Sequence, residues 1–287
     1  MVRPMMGASV ARWTAYAAMA AGVLGMAVGA LAQGPPPPTY IPQTKFTSGQ
    51  NVVPVFEGWL RNPDGTFTMV FGYFNRNLKE EFAIPPGPEN KIEPGEVDRG
   101  QPTYFLPRRQ AWVFRVQVPK DWGQKELVWT LTAHGRTEKA YAQLLPVEEI
   151  TERIIMTRGN LNPGDDDPNK PPSVSVAPVD AARVDTPVTL TALVSDDGLP
   201  KPRPPAKPRP GAQSNNVDSG RPRGLTVSWM QYRGPAKVIF DSAGPTAVAD
   251  GKAATTAHFT EPGAYVLRAI GNDGQLSTRA DVTVMVK

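Results

Sequence analysis

Residues Phe259–Lys287, FTEPGAYVLRAIGNDGQLSTRADVTVMVK, decide the fold class of this chain. Apolar side chains alternate through residues 265–269 and again through residues 282–286, a period of two that places each set on one face of a β-strand. Asn272-Asp273-Gly274 lies between the two runs, and Asn or Asp followed by Gly tolerates the positive φ angles of hairpin turns. The stretch therefore predicts a β-hairpin.

Two segments upstream of this hairpin also have the pattern of β-strands, Val188–Gly198 and Leu225–Trp229. In the hairpin itself, three features follow them in order: the Pro262-Gly263-Ala264-Tyr265 corner, the Asn272-Asp273-Gly274 turn and the strand with Val282, Val284 and Val286. Together they resemble the polycystic-kidney-disease (PKD) type of immunoglobulin-like domain found in bacterial surface and secreted proteins. The resemblance covers about residues 172–287, with Trp229 as the core tryptophan. It implies a binding or spacer module with no catalytic residues to transfer.

Residues 51–145 contain a second series of strand patterns, at Val52–Leu60, Phe67–Asn75, Trp112–Val118, Leu127–Ala133 and Lys139–Leu144. Turn signals separate most of them, and residues 75–100 read as a long irregular connection. Short strands with frequent turns are typical of β-sandwiches. This region resembles an uncharacterised sandwich of secreted bacterial proteins at Glu57-Gly58-Trp59, Gly72–Asn77 and Ile84–Pro88. That resemblance does not imply a function. The fold prediction is all-β: two immunoglobulin-like sandwiches in tandem.

The first 32 residues have the features of a secretory signal peptide. Arg3 and Arg12 give a positive start, Ala15–Leu31 is apolar, and Ala30-Leu31-Ala32 is a small-x-small cleavage pattern. The prediction is cleavage before Gln33 and export to the periplasm, the cell surface or the medium. The alternative is an uncleaved membrane anchor, because about 17 apolar residues is the lower limit for a membrane span; this would be the chain's membrane contact.

Composition excludes several classes of partner and site. The chain has no cysteine, so it forms no disulfide and no thiolate metal site. It has 31 basic and 27 acidic residues, a balance that does not favour a nucleic-acid partner. No phosphate-binding glycine loop, zinc motif or nucleophile elbow occurs, and His134 and His258 have no nucleophile near them in sequence. The prediction is a chain that is not an enzyme and has no organic cofactor.

Three further segments lie outside the predicted strands. Residues 33–50 form a proline-rich extended arm, and residues 146–172 contain a short helix, Pro146–Met156, followed by a linker. Residues 199–224 form a basic, proline-rich loop inside the second sandwich, residues 173–287. Its cations are Lys201, Arg203, Lys207, Arg209, Arg221 and Arg223. The loop is either a solvated spacer or a site for anionic glycans or lipid headgroups.

Two further candidate sites arise from side-chain type. Trp122 lies in a polar turn and Tyr73 in a strand, and either could stack on a sugar, although core packing is the default for aromatic residues. Acidic residues also lie next to the strand ends that are expected at one pole of the second sandwich. They are Asp165, Asp167, Asp196, Asp197 and Asp273. Carboxylates at one pole could bind Ca²⁺, whereas Asp next to Gly is also what turns require.

The function predicted from these observations is a non-catalytic interaction or structural module. Its expected partner is an envelope or surface protein, within an envelope or surface assembly. The competing hypothesis is a carbohydrate-binding module for cell-wall or extracellular glycan.

Overall fold

The computed structural model describes residues 45–160, 166–201 and 224–287, which belong to one compact unit. The signal peptide, most of the proline-rich arm and Asp165 lie outside the described residues, as do five of the six loop cations, all but Lys201. Within the described residues the fold is nearly all β, as predicted.

The first sandwich contains eight strands: β1 Val52–Arg61, β2 Phe67–Asn75, β3 Phe82–Ala83, β4 Asn90–Glu93, β5 Tyr104–Phe105, β6 Arg108–Val118, β7 Leu127–Ala133 and β8 Arg136–Ala142. They form two three-stranded sheets, β1-β2-β6 and β4-β7-β8, and the small pair β3-β5. Aromatic rings fill the space between them. Phe71 stacks on Phe114 with centroids 5.3 Å apart, and Trp129 meets Phe114 edge-on at 4.8 Å.

Strands β3, β4 and β5 are not evident in the sequence pattern. The connection expected to be irregular instead places Ile92 of β4 opposite Trp129 of β7. The buried Asn90 side chain donates hydrogen bonds to the carbonyl oxygens of Ile84, at 2.9 Å, and of Pro102, at 2.8 Å. These partners are distant in sequence or in other segments, so tertiary contacts rather than local alternation create this part of the sheet.

The predicted short helix is present, but it is shorter than the predicted range Pro146–Met156. A 3-10 turn spans Pro146–Glu148, and a short helix, α1, spans Glu152–Met156. Between them the backbone is extended at Glu149 and Thr151, because Ile150 N donates a hydrogen bond to the carbonyl oxygen of Trp59 at 2.9 Å. Pairing with β1 therefore interrupts the helix.

The second sandwich contains the other eight strands: β9 Ser173–Val176, β10 Val188–Ser195, β11 Thr226–Arg233, β12 Val238–Phe240, β13 Thr246–Ala247, β14 Lys252–Phe259, β15 Gly263–Asn272 and β16 Ser277–Val286. One sheet has the order β12-β14-β10-β9 and the other β13-β11-β15-β16. By their positions in the sheets these correspond to strands D-E-B-A and C′-C-F-G of an immunoglobulin-like sandwich, although β12 at the D position precedes β13 at the C′ position in the chain. The predicted hairpin is β15–β16, paired from Gly263↔Val286 to Asn272↔Ser277.

The core of the second sandwich agrees with the sequence analysis. Trp229 is 3% exposed and Tyr265 is fully buried. The Tyr265 hydroxyl donates a hydrogen bond to the carbonyl oxygen of Glu261 at 2.9 Å, the arrangement of a tyrosine corner at the start of strand F. Tyr232, in contrast, lies in β11 but packs into the core of the first sandwich, so the ranges 51–145 and 173–287 remain predictions as domains.

Candidate functional site

The junction between the sandwiches is built on the outer face of sheet β13-β11-β15-β16. Arg268 of β15 and Asp281 of β16 are directly opposite each other. The guanidinium binds the carboxylate through two hydrogen bonds, Nε to Oδ1 at 2.7 Å and Nη2 to Oδ2 at 2.8 Å. Arg268 Nη1 also donates to the carbonyl oxygen of Val113 in β6, at 2.6 Å. One buried arginine therefore joins the two sandwiches.

The environment of Arg268 keeps it charged. Arg268 is 6% exposed, and its guanidinium lies over the ring of Tyr232 with 4.0 Å between Cζ and the ring centroid. Burial by itself lowers the pKa of Arg268, but the hydrogen bonds and charge of Asp281 raise it above its ordinary value. A buried charge needs such a partner, because removing the partner leaves the charge without compensation.

A second group of contacts joins the end of β11 to residues 98–103. The Tyr232 hydroxyl donates to the carbonyl oxygen of Gly100, and burial raises the pKa of Tyr232 to about 12. Arg233 donates to Gln101 O at 2.9 Å and to Asp98 Oδ2 at 3.0 Å, and this hydrogen bond lowers the pKa of Asp98. We call the contacts of Arg268, Asp281, Tyr232, Arg233 and Asp98 the interdomain seam.

The sequence analysis did not single out these seam residues. The one available signal was the polar pair Arg268 and Asp281 within two otherwise alternating strands. An outward-facing charge on a strand usually contacts solvent, so the pattern by itself does not indicate an interface.

A group of acidic residues, Asp167, Asp196, Asp197 and Asp273, forms the second feature, which we call the acidic pole. Asn169, 4% exposed, donates from Nδ2 to Asp273 Oδ2 at 3.1 Å and to Gln275 Oε1 at 2.7 Å. Gln275 Nε2 in turn lies 3.5 Å from Asp167 Oδ2. Asp273 Oδ1 accepts from the backbone N–H groups of Gln275 and Leu276, each at 2.7 Å. The linker and the β15–β16 turn are thus bonded together.

The strand that precedes the basic loop joins the same pole. Asp197 Oδ2 accepts from Lys170 N at 3.0 Å, and Asp196 Oδ2 accepts from Gly198 N at 3.0 Å. Burial raises the pKa of Asp196, and the negative charges of Asp273 and Asp197 add to the effect. Asn169 and Lys170 thus contact Asp273 and Asp197, and the four described members of the predicted cluster lie at this pole without converging on one point: Asp167, Asp196, Asp197 and Asp273.

Two oxygen atoms at this pole have unusual surroundings. Asn169 Oδ1 and Asp196 Oδ1 are buried and have no hydrogen-bond partner among the described residues. Amide and carboxylate oxygens are the ligands that Ca²⁺ prefers, and a buried acceptor without a donor is costly. However, no three acidic or histidine side chains in the described ranges converge as a metal cluster, and Arg153 Nη2 lies 3.9 Å from Asp167 Oδ1. Calcium binding therefore remains a prediction.

The two aromatic candidates lie inside the first sandwich. Tyr73 is fully buried, and its hydroxyl accepts a hydrogen bond from Leu106 N at 2.9 Å. Trp122 is 6% exposed, and its Nε1 donates to the carbonyl oxygen of Lys125 at 2.8 Å. The structure thus corrects the hypothesis that either ring could stack on a sugar, because both rings are packed in the core.

The two histidines lie on different sandwiches. His134 Nε2 is 2.9 Å from Glu80 Oε1, and His258 Nε2 is 3.2 Å from Asp241 Oδ1. Each forms a partly exposed imidazole–carboxylate pair. Among the loop cations, Lys201 alone is described, and it is exposed.

None of the helices within the described residues has the length and apolar character to cross a membrane. No family model matches the chain. No curated protein matches it.

Several solved structures are similar to this chain at low identity. The D00-D0 domain of intimin shares 13% identity with a TM-score of 0.26, over 82% of this chain and 99% of that one. A conjugative transposon lipoprotein from Bacteroides eggerthii shares 13% identity with a TM-score of 0.25, over 41% of this chain and 97% of that one. The S-layer protein rSbsC shares 9% identity with a TM-score of 0.24, over 77% of this chain and 23% of that one. At such TM-scores these likenesses carry no argument about function, and what the chain's own strand order establishes is an all-β protein whose second sandwich is immunoglobulin-like.

Proposed function

We propose that this chain is an exported, non-catalytic interaction and structural module, which holds two β-sandwiches in a fixed arrangement within a cell-envelope or surface assembly. The observation that carries the proposal is the interdomain seam. A module that spaces or presents a binding surface must keep its parts in one orientation. Independently folded domains joined only by a linker do not do so by default.

The chemistry of the seam supports this role. Arg268 is fixed by Asp281 and Tyr232 on its own sandwich and donates across the junction to the backbone of β6, so a change in the angle between the sandwiches would break this charge-assisted hydrogen bond. Such bonds are directional and stronger than neutral ones. Arg233 adds a second pair of contacts to Asp98 and Gln101, and two separated attachments resist rotation better than one.

The export part of the proposal depends on the N-terminal sequence pattern. The positive start, the apolar run and Ala30-Leu31-Ala32 are typical of a cleaved signal peptide. A PKD-type assignment of residues 172–287 would fit an exported spacer. It is supported by the strand order of the second sandwich and by the buried Trp229 and Tyr265.

Calcium at the acidic pole would strengthen the same arrangement. Asp196 and Asn169 would supply the oxygens that have no donor, with Asp273 beside them, and Ca²⁺ would hold the linker against both turns. A bound cation would also offset the burial, and the smaller repulsion from Asp273 and Asp197, that raise the pKa of Asp196.

A photo-crosslinking experiment tests the interaction role. A crosslinking amino acid would replace Ile239, which is 51% exposed, or Val147, which is 89% exposed, in the full chain expressed in its own cells. We expect a discrete crosslinked protein in the envelope fraction from at least one position. A fully buried position, Leu267, is the matched control and should give none.

The carbohydrate-binding alternative is tested on the same protein. The chain starting at Gln33 would be applied to a glycan array and sedimented with purified peptidoglycan. Saturable glycan binding together with no protein crosslink from either position would contradict the proposal and favour a carbohydrate-binding module.

A further inference from the structure

A small cleft lies between the sandwiches, beside the seam. It has a volume of about 70 Å³ and is bounded by the first half of β6, the end of α1 and the outer face of β15 and β16. Three of its lining side chains carry guanidinium groups, Arg158, Arg268 and Arg279, and none of its described lining residues is acidic. The walls of the cleft are therefore cationic.

The nearby carboxylates are already occupied. Asp281 is held by two hydrogen bonds from Arg268. Glu152 is held in the same manner by Arg115, with Nη1 to Oε1 at 2.6 Å and Nη2 to Oε2 at 2.7 Å. Each of these two acids balances one arginine, and no carboxylate of the described residues balances Arg158 or Arg279.

Arg279 has the more unusual position of the two. Its Nη1 donates to the carbonyl oxygens of Trp112 and Val113, and no described carboxylate lies within ion-pair distance of it. The Arg279 residue as a whole is exposed, but packing around its guanidinium and repulsion from Arg268 and Arg115 lower its pKa. An anion in the cleft would relieve this repulsion.

Two other groups at the cleft can donate hydrogen bonds. Arg158 is exposed, follows α1 with a φ of 56°, and has no ion-pair partner among the described residues. Ser277 Oγ accepts a hydrogen bond from Asn272 Nδ2 at 2.8 Å, which leaves the hydroxyl hydrogen to donate. Guanidinium groups match the geometry of oxyanions.

We propose that this cleft is a binding site for a single oxyanion group, a sulfate, phosphate or carboxylate, held by Arg158 and Arg279 with Ser277. Pockets for whole small molecules are about 300–1,000 Å³, so the cleft admits the charged group and excludes a sugar ring. The site joins β6 and α1 of one side to β16 of the other, and a bound anion would stabilise the junction. This inference does not depend on the proposed function.

Isothermal titration calorimetry on the full chain tests the site. The probes are sodium sulfate, sodium phosphate, sodium acetate and sodium glucuronate, titrated in sodium chloride buffer at constant ionic strength. We expect saturable binding of at least one probe. A preference for sulfate or phosphate would identify a free ion or its ester, and glucuronate binding more tightly than acetate would identify an acidic sugar.

Variants separate this site from general salt effects. Arg158→Gln removes a side chain with no described partner and should weaken binding about tenfold, as expected for the loss of one charge-assisted hydrogen bond. Ser277→Ala should weaken it less. Arg183→Gln, another exposed arginine, is the matched control and should bind as the wild type does.

Three results would overturn the inference: no saturable heat with any probe, equal loss of binding in Arg158→Gln and Arg183→Gln, or unchanged binding in Arg158→Gln. Sulfate stabilises folded proteins generally by exclusion from their surfaces. A rise in melting temperature that is the same in wild type and Arg158→Gln would therefore count against the site.

Discussion

The seam predicts a large effect of replacing Arg268 by alanine. The substitution removes two hydrogen bonds to Asp281, one to Val113 O and the contact with Tyr232. Removing one partner of a buried ion pair typically costs about 3–5 kcal/mol. The Asp281 side chain is 38% exposed and can regain water, so we expect the lower end, about 3 kcal/mol of unfolding free energy.

Urea unfolding, followed by tryptophan fluorescence and by far-UV circular dichroism, measures this effect. The wild-type chain should unfold with coincident transitions because the seam couples the sandwiches. Arg268→Ala should lower the midpoint and separate the two signals. Arg183→Ala, at an exposed position on the second sandwich, should change the unfolding free energy by less than about 0.5 kcal/mol.

A double-mutant cycle then assigns the cost to the ion pair. Arg268→Ala and Asp281→Ala should be strongly non-additive, with a coupling energy of at least about 1 kcal/mol, since contacting charges in one network couple in this range. A loss below about 0.5 kcal/mol in Arg268→Ala would refute the view that the seam holds the sandwiches together, and additive effects would show that Arg268 acts independently of Asp281.

Four other predictions follow from the same structure. Trp229→Ala should cost about 3–5 kcal/mol and unfold the second sandwich, while the first remains folded at a lower midpoint because Tyr232 no longer packs into it; equal melting of mutant and wild type would contradict the core described for the second sandwich. Because the pKa of Asp98 is lowered from 3.8 by Arg233, its contribution to stability is present above pH 3.8 and is lost as the pH falls through the lower folded value, so wild type and Asp98→Asn should converge in stability in acid; a constant difference would contradict the pair. Calorimetric titration of chelator-treated protein should show calcium binding that Asp196→Asn abolishes and Asp241→Asn leaves unchanged; no heat at millimolar calcium and no change in melting would exclude a calcium site. N-terminal sequencing of the exported protein should begin at Gln33; retention in membranes with an intact N-terminus would show an anchor instead.

The sequence by itself determined the strands that carry a local signal. Residues 265–269 and 282–286 alternate with a period of two on either side of an Asn-Asp-Gly turn, and the structure has β15 and β16 there. The same holds for β2 and β7, whose bounds were predicted to the residue. In each case the pattern of burial and the turn chemistry lie within about ten residues, so no distant contact was needed to specify them.

Only the tertiary structure decided how these strands are used. β4 exists because Asn90 and Ile92 find partners in other segments. The helix predicted at Pro146–Met156 is interrupted because β1 offers a backbone partner to Ile150. Tyr73 and Trp122 are core residues because the sheets close over them.

The candidate sites divide in the same manner. Topology reasoning from the sequence gathered the aspartates at one pole, because the strands of an immunoglobulin-like sandwich leave at fixed ends. The seam and the cationic cleft were not accessible in that way. Arg268 and Arg279 occupy strand positions that usually face solvent. Their contacts with Val113 and Trp112 form because one sandwich packs against the other. These residues are more than 150 positions apart, so no local sequence pattern encodes the contacts.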